Sequence, residues 1–155
     1  MWYNRIVDDM SRIPDAISYY NQELQDAFKE THVSGRLESQ CQMIGGQMAL
    51  RFAQLQDLEA VLKFLNHRLD KMKSVHYKKY LEAYNRDLKD RAIEKYIDGE
   101  SDVNDMYDII NEVALVRNKY LAVIKGLDAK QFQLGHIAKL RTAGLEDATL
   151  ENNDR

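Results

Sequence analysis

Between Leu55 and Met72 the apolar positions fall three and four residues apart, at Leu55, Leu58, Leu62, Leu65, Leu69 and Met72. That interval lines a narrow stripe on one side of a helix, the seam along which one helix wraps another. The rhythm then slips by five residues and resumes at Tyr77, Leu81, Tyr84 and Leu88, which predicts a turn or a stutter near Ser74-Val75. A continuous rod from Leu37 to Ile97 and a hairpin satisfy the pattern equally. Asp98-Gly99-Glu100-Ser101-Asp102 supplies a glycine stop followed by capping residues. A second seam follows at Val103, Met106, Ile110, Val113, Tyr120, Ile124 and Leu127, weakening toward Leu140.

Ahead of both seams, Pro14 divides the chain into a short helix ending near Arg12 and another starting near Asp15, and Ser34-Gly35 marks the next break. Three parts are expected: a short, separate helical segment over 1–35, a long-helix domain over 36–144, and an acidic tail over 145–155 that frays. The class is all-α, with coiled-coil-like helices in a bundle or hairpin. Narrow seams on two or three helices do not close a deep core in one chain, and copies of the same chain are the simplest source of complementary seams. A homo-oligomer is expected. In Lys130-Gln131-Phe132-Gln133-Leu134-Gly135-His136-Ile137-Ala138-Lys139-Leu140-Arg141 the apolar Phe132, Leu134, Ile137 and Leu140 read as the face toward another copy, with Gly135 permitting close approach.

Composition supports helix. The 155 residues include one proline, seven glycines and 30% charged side chains. One cysteine, Cys41, forms no intrachain disulfide and reads as a small buried helix residue. The N-terminus lacks the apolar core of a signal peptide and no run is long enough to span a bilayer, so a cytosolic protein without a membrane partner is expected. If the chain is phage-encoded, that is the host cytoplasm.

Charge is uneven. Residues 1–60 carry 5 basic and 9 acidic side chains, residues 61–95 carry 10 and 5, and residues 96–155 carry 7 and 11. The basic island contains Lys71, Lys73, His76, Lys78, Lys79, Arg86, Lys89, Arg91 and Lys95, interleaved with Tyr77, Tyr80 and Tyr84. Cations bind backbone phosphates without regard to sequence, and tyrosine faces stack on unpaired bases. Helical spacing also allows these cations to pair with Glu82, Asp87, Asp90 and Glu94, leaving an ordinary solvated face.

Catalytic and metal motifs are absent from the spacing. His32, His67, His76 and His136 are scattered without HExxH or Cys/His ligand patterns. The run Asp98, Glu100, Asp102, Asp105, Asp108 and Glu112 has Ile109 where a calcium loop needs its bidentate glutamate, and reads as a solvated acidic face at a helix start. No phosphate loop or nucleophile elbow occurs. Neither a cofactor nor an enzyme is expected. Gly45-Gly46 within a helical stretch reads as a kink, a close helix crossing or a hinge.

Leu88-Lys89-Asp90-Arg91, followed by Tyr96-Ile97-Asp98-Gly99, resembles the Lys-x-Arg motif and the tyrosine-to-glycine turn after it in the UvsY family, recombination mediators of tailed phages. Phe132, His136, Ile137, Leu140 and Arg141 are similar in type and spacing to that family's closing helix, so the likeness covers roughly residues 60–144. The resemblance implies an all-helical ring that binds single-stranded DNA and helps a RecA-like recombinase replace a single-strand-DNA-binding protein. It implies that Lys89 and Arg91 contact DNA; from the basic island itself, Lys78, Lys79, Arg86 and Lys95 are expected to widen the electrostatic footprint. It also implies that Val113, Tyr120, Ile124, Leu127, Phe132, Ile137 and Leu140 on the last helix build the oligomer. The rival expectation is an oligomeric phage or bacterial assembly protein, such as a scaffold or small packaging subunit, with no preference for single strands.

Overall fold

A computed structural model describes residues 1–83 and 90–144. Helix α1 spans Trp2–Asp8 and a 3-10 turn spans Met10–Arg12. Four further helices follow: α2 over Ile13–Glu30, α3 over Leu37–Ala83, α4 over Asp90–Asp98 and α5 over Ser101–Thr142. Among the described residues there is no strand. At about 1.5 Å per residue, α3 is roughly 70 Å long and α5 roughly 63 Å. They lie side by side in opposite directions, the end of α3 beside the start of α5. Pro14 sits in the first turn of α2, where a backbone N–H has no helical partner to lose. Gly35, in the loop between α2 and α3, and Gly144, just past the end of α5, both have positive φ, which glycine adopts without steric cost.

The first seam is buried as its spacing requires: Leu55, Leu58, Leu62, Leu65 and Leu69 all lie in the core. Helix α3 then runs through Ser74-Val75 to Ala83, so no turn interrupts it there. The resumed rhythm does not hold, because Leu81 is 54% exposed. Tyr84 and Leu88 lie outside the described residues. Helix α4 folds back beside α3, bringing Asp98 to Lys73 and Asp90 to Tyr77. The chain after α3 therefore makes a hairpin rather than a rod.

Residues 1–35 do not stand apart. Ile6, Ile13, Ala16, Tyr20, Leu24 and Ala27 join the same core as the seams of α3 and α5. Helix α2 supplies the third surface that two long helices lack. For that reason Val113, Tyr120 and Leu127, expected at a subunit interface, are buried within the single chain, and Ile124 packs against its core. The Tyr20 and Tyr120 rings meet edge to face with centroids 5.7 Å apart.

Polar side chains tie these layers together. Asp57 accepts hydrogen bonds from the Trp2 and Tyr3 backbone N–H groups, at 2.7 and 3.1 Å, and from the Tyr20 hydroxyl at 2.6 Å. It thereby caps the first turn of α1 from a neighbouring helix. Arg51 meets Glu30 through two nitrogens, at 2.8 and 2.7 Å, and donates to Glu23 and Gln54, both at 2.9 Å. Buried Lys130 donates to the Glu30 carbonyl at 2.7 Å, closing the C-terminal end of α2. Arg51 and Lys130 occupy seam positions of α3 and α5, which is why the apolar rhythm weakens at those points.

Burial raises the Tyr20 and Tyr120 pKa values well above the usual phenol range, and Asp57 adds to the effect at Tyr20. With native values above the unfolded one, the stabilisation is complete below about pH 10 and is lost as pH rises beyond it. A spectrophotometric titration should find two of the nine tyrosines ionising only as the helical signal collapses.

Gly45, Gly46 and Gly135 sit inside long helices, and an added Cβ at any of them meets nothing within 4 Å. Of the readings for Gly45-Gly46, a close helix crossing is therefore not made among the described residues, nor is a close approach at Gly135. Alanine at each position should raise unfolding stability by about 1 kcal/mol in urea melts, because only helix propensity changes. Gly126 differs: a Cβ there would fall 2.8 Å from Thr31 Cγ2, so this glycine lets α5 pass the end of α2. Cys41 is exposed rather than buried.

Candidate nucleic-acid interface

The basic island lies where the end of α3 meets α4 and the start of α5. Lys73 donates to Asp98 at 2.8 Å and to the Tyr107 hydroxyl at 2.6 Å. Its pKa is raised, first by the Asp98 hydrogen bond and then by Tyr107. His76 Nε2 lies 2.8 Å from Asp102, whose carboxyl is held below the usual range chiefly by that hydrogen bond. Tyr80 donates to Glu100 at 2.6 Å and Tyr77 to Asp90 at 2.9 Å. Asp98, Glu100 and Asp102 are thus engaged across the hairpin rather than merely solvated, while Asp105, Asp108 and Glu112 remain exposed. Within the island, Lys73 is neutralised by Asp98 at the end of α4.

What stays open is narrower than the sequence implied. Lys78, Lys79, Arg91 and Lys95 are exposed and, among the described residues, take part in no ion pair. Among the described residues these cations make no ion pair with Glu82, Asp90 or Glu94, and Asp87, the fourth partner the spacing allowed, lies outside them. Lys89 and Arg86 lie outside the described residues. Tyr77 packs against the core, as its seam position suggested, and Tyr80 does so too. Tyr96 is half exposed and stacks on Tyr80, with ring centroids 5.9 Å apart at 27°. Between α3 and α4 a groove of about 620 Å³ is lined by Lys73, Ser74, Tyr77, Lys78, Glu94, Ile97 and Asp98. It opens beside Lys78.

A second surface lies at the far end of α5. Phe132 is 70% exposed, with the His136 ring 4.4 Å away at a steep angle, and Leu140 is also exposed. Ile137 is half buried. These three are what the chain's own core leaves of the expected subunit-facing set.

Sequence reasoning missed Arg51, Asp57 and Lys130 as structural centres, and missed the grouping of His76 with Glu100 and Asp102. Their partners lie tens of residues away, so no local spacing signals them. The one trace was the pair of charged residues standing in otherwise apolar seams.

Among the described residues the protein is all-helical, and its exposed cations lie on α3 and α4, the two helices that carry the Tyr80–Tyr96 stack. No family model, curated protein or solved structure matches the chain. Among the described residues, no helix is long and apolar enough to cross a membrane.

Proposed function

We propose that the chain is a non-catalytic binder of single-stranded DNA, acting as a recombination mediator that helps load a RecA-like recombinase in place of a single-strand-DNA-binding protein. The observation that carries the DNA reading is the set of exposed cations Lys78, Lys79, Arg91 and Lys95, without ion pairs among the described residues, on the helices that also carry the exposed Tyr96 ring and its stack on Tyr80. Cations of this kind release counterions from phosphates, and an aromatic face accepts a base of any identity. The mediator role rests on the resemblance of the Lys89 and Arg91 segment to the UvsY family. Assembly of copies, presenting several such ends to one strand, turns weak contacts into firm binding.

A specific observation favours the second reading, an oligomeric assembly protein indifferent to single strands: exposed Phe132 and Leu140 offer apolar area without using the basic end at all. Native mass measurement with and without a labelled oligonucleotide separates the two. The first reading expects an oligonucleotide-bound oligomer that dissociates in salt. An oligomer that leaves the oligonucleotide free at low salt overturns it.

A further inference from the structure

The hairpin end assembles a donor set that chain spacing conceals. His76 comes from α3, Glu100 and Asp102 from the start of α5, and one ligand atom from each lies within 4.8 Å of the other two. His76 Nε2 is 2.8 and 3.0 Å from the two Asp102 oxygens. A lone pair facing a carboxylate at that distance is repelled, so Nε2 carries the proton and donates to Asp102. In the neutral ring the remaining lone pair sits on Nδ1. That atom is buried, has no hydrogen-bond partner among the described residues, and lies 3.9 Å from Glu100 Oε1. The same Glu100 oxygen is held by the Tyr80 hydroxyl at 2.6 Å.

Two acceptors thus face each other across a gap that no donor among the described residues fills, an arrangement that a bound cation would relieve. The separation is too long for a hydrogen bond. It suits two ligands of one ion, each about 2.0–2.2 Å from the metal. We propose that His76 Nδ1 and Glu100 Oε1 are the protein ligands of a divalent transition-metal site. Asp102 holds the imidazole from its far side, the placement by which a carboxylate fixes the tautomer of a ligating histidine. One imidazole nitrogen with a carboxylate oxygen selects ions such as Zn²⁺ or Co²⁺ over Mg²⁺ and Ca²⁺, which take oxygen shells. The Glu100 side chain is 28% exposed, so water can complete the coordination from its side. The ion ties α3 to α5 beside Lys78 and Lys79, and neither ligand is among the cations assigned to DNA.

The test is titration of Co²⁺ into the full chain, followed by its visible absorption. One saturable equivalent is expected, displaced by Zn²⁺ and insensitive to excess Mg²⁺. His76→Gln and Glu100→Gln should each abolish the absorption while far-UV circular dichroism stays helical, and Asp102→Asn should weaken binding about 10- to 100-fold. His136→Gln should change nothing. Should His76→Gln unfold, Glu100→Gln decides alone, since it alters one partly exposed oxygen. Absence of a saturable signal, or a signal that survives Glu100→Gln, overturns the proposal by assigning the metal to other histidines or to none.

Discussion

Arg51→Ala lowers the unfolding free energy by about 3 kcal/mol, read as a shifted urea midpoint at unchanged slope. The side chain is 3% exposed and meets Glu30 and Glu23, which come from a different helix. Removing a buried partner leaves carboxylates without compensation, a loss of about 3–5 kcal/mol when both groups are fully buried. Glu30 is 21% exposed and Glu23 35%, so both regain some water and the expected cost falls at the lower end of that range. Arg51→Met refills the volume but not the charge and should recover only part. Adding Glu30→Gln to Arg51→Met should recover more, because the orphaned charge is then gone. If Arg51→Ala costs under about 1 kcal/mol, the network does not hold α2 on α3.

The largest functional effect is expected from replacing Lys78, Lys79, Arg91 and Lys95 together with alanine. All four are exposed and free of ion pairs among the described residues, so the fold should be unaffected. Four phosphate contacts with a single strand give a slope of log affinity against log salt of about −3. That slope weakens wild-type binding about fifty-fold between roughly 50 and 200 mM salt. The quadruple variant should bind far more weakly at low salt, with a nearly flat salt dependence. Equal binding with an unchanged slope would move the interface elsewhere, to Arg86 and Lys89 or to another surface. Alanine at the four positions leaves Lys73 and His76 paired with Asp98 and Asp102, so the scaffold of the hairpin end is not confounded with its charge.

The two long seams were legible because burial against a neighbouring helix repeats every three or four residues, and Leu55 through Leu69 obey that repeat without exception. The break at Gly35 was legible too, since few other residues adopt its backbone at no cost. The role of residues 1–35 was not. Tyr20, Leu24 and Ala27 carry an ordinary amphipathic pattern that names no partner, and only the packed structure reveals that they close the α3–α5 seam. The candidate site divides the same way: Lys78, Lys79 and Lys95 stood out as a charge run, whereas the engagement of Lys73 with Asp98 removed one member of that run from the open surface.

By itself the sequence determined an all-helical chain, the buried stripes of its long helices and the place where positive charge collects, because periodicity, propensity and net charge are properties of neighbours along the chain. Only the tertiary structure decided that Val113, Tyr120 and Leu127 serve the chain's own core, that Asp57 caps a helix more than fifty residues away, and that His76 faces Glu100 and Asp102. Each of those depends on which helix faces which, and that is set by the total burial and hydrogen bonding of the packed bundle rather than by any local stretch.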